Sequence, residues 1–172
     1  MIDLTMALNN KRWPIDTPVP TEKKPVDLST RALDDKFERR GHVTFNWDDV
    51  QPVTLPNGVV SKMYRVGSPS KQASPTVFKV YYPPDVLIEP HTHDCDYTEM
   101  ILEGSQKVGR KWLYAGDIRV GIANRGYGPL LAGPEGATIL FVFANGNWPA
   151  LPLGKSKGKT LHSDVIANSI VD

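Results

Sequence analysis

The stretch PDVLIEPHTHDCDYTEMILEG, residues 84 to 104, holds the most informative pattern in the chain. An apolar run, Val86 to Ile88, leads into His91-Thr92-His93. The acidic turn Asp94-Cys95-Asp96 follows, and then the alternating segment Tyr97 to Leu102, which Gly104 is expected to end. In an extended backbone, residues two apart point to the same face, so the two imidazoles project together and can share one ion. Glu99 shares a face with Tyr97 by the same alternation, and a carboxylate turned inward is costly unless it is paired or metal-bound. First-row divalent metals favour imidazole pairs completed by a carboxylate and open water positions. The competing reading leaves both histidines on an edge strand, or in a polar pocket without an ion.

The same texture extends in both directions. Upstream lie HVTFNW (42–47), a turn at Pro56-Asn57-Gly58, VVSKMYRV (59–66) and TVFKVYY (76–82). Downstream lie SQKVG, a turn at Gly109-Arg110, KWLYAGD (111–117), IRVGIAN (118–124) and ATILFVFANG (137–146). Fifteen prolines and 14 glycines punctuate the 172 residues. Short strands separated by turn residues, with no amphipathic helices between them, predict an all-β antiparallel sandwich or barrel. One helix is expected within Asp27 to Arg40, capped by Asp27 or Ser29, with Leu33 and Phe37 four apart and Gly41 at its end. The expected organisation is an N-terminal arm with a short helix over residues 1–40, a β-barrel over 41–147 and a C-terminal tail over 148–172.

Apolar residues make up 40% and charged residues 23%, with a net charge of +1, so no broad field is available to attract nucleic acid or a membrane surface. Neither is an expected partner. Cys95 is the only cysteine, which fits a reducing compartment, and a cytoplasmic location is expected. Its acidic neighbours disfavour a thiolate, so a nucleophilic role is not expected. Arg65, Lys79 and Arg119 fall on predicted strands and are candidates to line a pocket for an anionic substrate. His42 and His162 are read as surface residues.

Residues 83 to 143 resemble the cupin superfamily. Its first motif, G-x5-H-x-H-x3-4-E-x6-G, is similar to the stretch quoted above, with Asp85 at the leading glycine and Gly104 at the closing one. AGDIRVGIANRGYG, opening at Gly116, resembles the second motif, G-x5-P-x-G-x2-H, more loosely. Tyr97 falls where the family's glutamate is counted from Gly104, and Glu99 lies two residues later. Ile122 and Asn124 replace the motif's proline and glycine, and Tyr127 replaces its histidine. The resemblance implies a single cupin jelly-roll β-barrel with a metal or small ligand in its mouth. It implies a divalent ion (Fe, Mn, Ni or Zn) on His91, His93 and Glu99, with Tyr127 and Tyr97 as hydrogen-bond donors or proton shuttles. A metal-dependent enzyme follows, dioxygenase-like first, acting on a small organic molecule. The alternative is a non-catalytic small-molecule-binding or sensing protein. Small cupins also suggest a homodimer.

Overall fold

A computed structural model describes residues 24–71 and 73–153. The order is α1 (Thr30–Arg40), β1 (Val53–Thr54), β2 (Val60–Arg65), β3 (Thr76–Tyr82), β4 (Leu87–Ile88), β5 (His91–Thr92), β6 (Tyr97–Val108), β7 (Lys111–Tyr114), β8 (Ile118–Gly121), β9 (Leu130–Phe143) and β10 (Leu151–Pro152). Among the described residues the fold is all-β apart from that one helix, in the jelly-roll arrangement that the resemblance implies. No described helix is long and apolar enough to cross a membrane.

Helix α1 begins and ends for local reasons. Ser29 Oγ accepts from the Ala32 amide, and Asp27 accepts from Ser29 N in turn. Gly41 stops the helix in the left-handed region at φ 68°, donating its amide to the Phe37 carbonyl.

Eight strands hydrogen-bond into one sheet with the central order β1-β2-β3-β9-β6-β7; β4 adds to β9, β8 adds to β6, and β5 and β10 form a separate pair. All these pairings are antiparallel. The core lies along the inward faces of β3, β6 and β9: Phe78 and Val80, Tyr97 and Ile101, Ile139, Phe141 and Phe143. Each such side chain contributes about 1.5–3 kcal/mol when fully buried. Trp148 closes against Phe78 with ring centroids 4.7 Å apart.

Three local expectations change. Gly104 does not end its strand. It sits at φ 70° between two register shifts, at Ile101/Glu103 and Gly104/Gln106, and β6 continues through it to Val108. A Cβ there would stand 2.1 Å from the Gly136 carbonyl oxygen, so glycine permits a bulge in which two strands touch. HVTFNW forms no strand. Asn46 Oδ1 instead accepts from the amides of Asp48 and Asp49, while Asp49 accepts from Asn46 N, and this side-chain turn replaces a ladder. Beyond residue 147, β10 pairs with β5, with Leu151 opposite Thr92 and Pro152 opposite His91.

Candidate functional site

The histidines sit on β5 and the residue after it, at 5% and 6% exposure, with rings 5.2 Å apart and nearly perpendicular. Each ring is fixed from behind. His91 Nδ1 lies 2.8 Å from the Glu89 carbonyl oxygen. His93 Nδ1 lies 2.6 Å from that of Trp148 and 3.3 Å from that of Pro149. A carbonyl only accepts, so each Nδ1 carries the proton and each Nε2 presents a bare lone pair.

Both lone pairs converge on one atom. The Tyr127 hydroxyl is 2.7 Å from His91 Nε2 and 3.0 Å from His93 Nε2. Backbone pairing delivers it there: His91 N donates to Tyr127 O at 3.1 Å, and Tyr127 N donates to His91 O at 3.0 Å. One hydroxyl proton thus serves two acceptors. It can satisfy only one of them at a time.

Burial lowers the pKa of His91. His93 is lowered to about 4 by burial first and then by the neighbouring His91. Both are neutral at pH 7. Burial raises the Tyr127 phenol well above its ordinary value, and it raises Tyr97 too.

Glu99 does not join the histidines. It turns inward beside Tyr97, at 1% exposure, as strand alternation predicts. However, its partner across the ladder is Arg119 on β8, and Arg119 donates to both carboxylate oxygens. The same guanidinium donates to Tyr97 Oη at 2.9 Å and lies 4.2 Å from the Tyr127 ring centroid. Burial opposes the charge of Arg119, but its hydrogen bonds to Glu99 more than offset this and its pKa rises. Register accounts for the pairing: Arg119 stands opposite Glu99 on β8, and its guanidinium satisfies the carboxylate. Among the described residues, no three histidine, cysteine, aspartate or glutamate side chains group closely enough to hold one ion.

The structure therefore gathers His91, His93 and Tyr127, with Tyr97, Glu99 and Arg119 behind them. Arg119, first read as a candidate for an anionic substrate, serves Glu99 instead. The Trp148 carbonyl that orients His93 lies in a segment read as tail, and nothing in its local sequence marks it. Cys95 is 3% exposed and its Sγ–H points to the Asn147 carbonyl; burial raises its pKa and keeps it a thiol. His42 is exposed, and His162 lies outside the described residues. Lys79 and Arg65 do not border the cavity beside the histidines. That cavity, of about 110 Å³, is walled by Leu55, Val80, Phe141 and Trp148 among others, with His91, His93 and Tyr127 in its lining.

The fold is a jelly roll of the kind seen in solved cupin structures. It is similar to an RmlC-like cupin from Shewanella frigidimarina, with 18% identity over 59% of this chain and 88% of that one, at a TM-score of 0.50. It is similar to Bacillus subtilis oxalate decarboxylase, with 20% identity over 91% of this chain and a TM-score of 0.55, although the match spans only 46% of that enzyme. KdgF from Halomonas is a third, with 16% identity over 60% of this chain and 94% of that one, at a TM-score of 0.50. The oxalate decarboxylase carries Mn(II) centres. No protein-family model and no curated protein matches the sequence.

The donor set suits such an ion. Two bare imidazole nitrogens and a phenol oxygen, one proton short of mutual satisfaction, are donors of the types that divalent transition metals take.

Proposed function

We propose that the protein holds a divalent transition-metal ion (Fe, Mn, Ni or Zn) on His91, His93 and Tyr127, and acts as an enzyme on a small organic molecule in the adjoining cavity. One observation carries this reading: two fixed Nε2 lone pairs meet a single hydroxyl at 2.7 and 3.0 Å, while both Nδ1 atoms are committed to carbonyls. A bound ion supplies Lewis acidity toward a carbonyl or enolate oxygen and, if it is iron, a route to oxygen chemistry.

The chain's own groups do the rest. The Glu89, Trp148 and Pro149 carbonyls hold the imidazole orientation. Arg119 over the Tyr127 ring favours negative charge on that phenol oxygen, and Tyr97, whose ring lies 5.7 Å from that of Tyr127, is the second phenol in reach to hold or pass a proton. Apolar side chains, Leu55, Val80, Phe141 and Trp148 among them, wall the cavity beside the histidines. Dioxygenase-type chemistry was expected from a set of two histidines and one carboxylate. With Glu99 held by Arg119, Lewis-acid chemistry such as isomerisation or lyase reactions is the better-supported class.

Elemental analysis of tag-free protein tests the reading. It expects close to one ion per chain, lost in His91→Ala. In Tyr127→Phe, affinity is expected to fall by at least the ~10–100-fold that loss of a supporting partner costs. Metal-free wild-type protein that also ignores added Mn(II) and Zn(II) removes it.

The second reading is a small-molecule-binding or sensing protein without a metal. Its support is the Tyr127 hydroxyl, which already bridges both nitrogens. Ligand binding by protein that takes up no ion selects it.

We also propose a homodimer that pairs through β8 and works in the cytoplasm. Among the described residues β8 pairs only with β6; Ile118 and Val120 on it and Ile122 just after it are exposed at 60%, 69% and 57%. The single, buried Cys95 supports a reducing compartment.

A further inference from the structure

We infer that the cavity beside the histidines takes a neutral, largely apolar molecule of about ring size bearing a hydroxyl or carbonyl, and that Ser61 reads that polar group. The inference rests on the proposed function only in taking this cavity as the ligand site.

Ser61 lies on β2 opposite Val80 of β3 and Val53 of β1, and by strand alternation shares a face with the core residue Val59 and the half-buried Met63. It is 2% exposed, and its Oγ has no hydrogen-bond partner among the described residues. Burying an unpaired hydroxyl is costly, and alanine would avoid that cost. Its position makes use of that cost. Ser61 borders the same cavity as His91, His93 and Tyr127, and the walls between are Leu55, Val59, Phe78 and Val80. A hydroxyl both donates and accepts, so it can meet either a carbonyl or an alcohol.

Charge sets the rest of the class. Among the described residues, no aspartate, glutamate, lysine or arginine borders this cavity. The nearby guanidinium, Arg119, is held by Glu99 and lies behind the Tyr127 ring. A dicarboxylate such as oxalate would therefore find no side-chain counter-ion there. Tyr82, also in the wall, is a neutral phenol because burial raises its pKa. Size follows from the cavity's volume of about 110 Å³, somewhat below the ~150 Å³ of an apolar cavity that binds benzene.

Calorimetric titration of the full chain with phenol, toluene and oxalate tests this, without metal and again with Mn(II). Phenol is expected to bind metal-free wild-type protein more tightly than oxalate does. Ser61→Ala should weaken phenol roughly five- to tenfold, the value of one hydrogen bond, and leave toluene unchanged. Ser61→Cys, similar in size but a weak hydrogen-bonding group, should also weaken phenol. Unchanged phenol affinity in both variants, as when Ser61 only holds a buried water, overturns the inference, and so does oxalate binding as tightly as phenol to the metal-free protein. The Mn(II) titration separates the two readings. Wild-type protein that takes no Mn(II) but discriminates phenol through Ser61 removes the metal site and keeps this inference. Normal Mn(II) uptake with no dependence on Ser61 does the reverse.

Discussion

Glu99 and Arg119 stand directly opposite each other on β6 and β8, and the guanidinium meets both carboxylate oxygens, at 2.5 and 2.9 Å. The carboxylate side chain is fully enclosed and the guanidinium is 20% exposed, so the pair is shielded from solvent on the Glu99 side. Removing one partner of such a pair leaves an uncompensated buried charge, whereas replacing both with apolar groups costs far less. Arg119→Met is thus expected to lose about 3–5 kcal/mol in urea denaturation, with much of it recovered in Glu99→Leu/Arg119→Met. A single variant as stable as the wild type would show that Glu99 has another partner.

Acid should weaken the metal-free protein through its histidines. His93 has a folded pKa of about 4, against an ordinary 6.5. The unfolded chain therefore takes up a proton between these values that the folded chain refuses. The stabilisation is fully present above pH ~6.5, falls as pH drops toward ~4 and levels off below, for a total on the order of 3 kcal/mol. His91 shifts in the same direction and adds to the effect. Urea midpoints from pH 7.5 to 4 should fall more steeply in wild type than in His93→Gln. Parallel profiles would mean that His93 is not held neutral.

Gly121 leaves space for Tyr97. It lies across the ladder from that residue, and a Cβ there would stand 2.2 Å from Tyr97 Cε1 and 2.3 Å from Cζ. The ring is held by Arg119, so it cannot yield freely. Gly121→Ala is expected to cost about 1–3 kcal/mol by overpacking, with most of it relieved by adding Tyr97→Leu. Thermal denaturation of the two singles and the double measures the coupling. Additive losses would place the strain elsewhere.

The β8 edge makes a separate prediction. Val120→Glu puts a charge at the centre of the exposed apolar strip, where both copies of a two-fold dimer would present it. Light scattering on size-exclusion peaks should show the dimer shifting to monomer, with the circular dichroism spectrum unchanged. A wild-type monomer at high concentration rules out the dimer.

Local chemistry made parts of this fold legible. Ser29 and Gly41 bound α1 because a side-chain acceptor and a left-handed glycine act within one turn of their own sequence. Gly104 was visible as special but not as a bulge, since its reason is a carbonyl on β9, 32 residues away. HVTFNW misled because its alternation gave no hint that Asn46 and Asp49 would bond their own backbone.

The sequence by itself pointed to an all-β antiparallel sandwich or barrel, put His91 and His93 on one face and put Glu99 on the face of Tyr97, because strand period and turn residues are local properties. Tertiary structure decided who meets whom. Arg119 claimed Glu99 through a register spanning 20 residues, Tyr127 reached both imidazoles by bridging back to His91, and the Trp148 carbonyl fixed the His93 tautomer from 55 residues away. Such partners are set by the closing of the chain on itself, which no spacing along the sequence encodes.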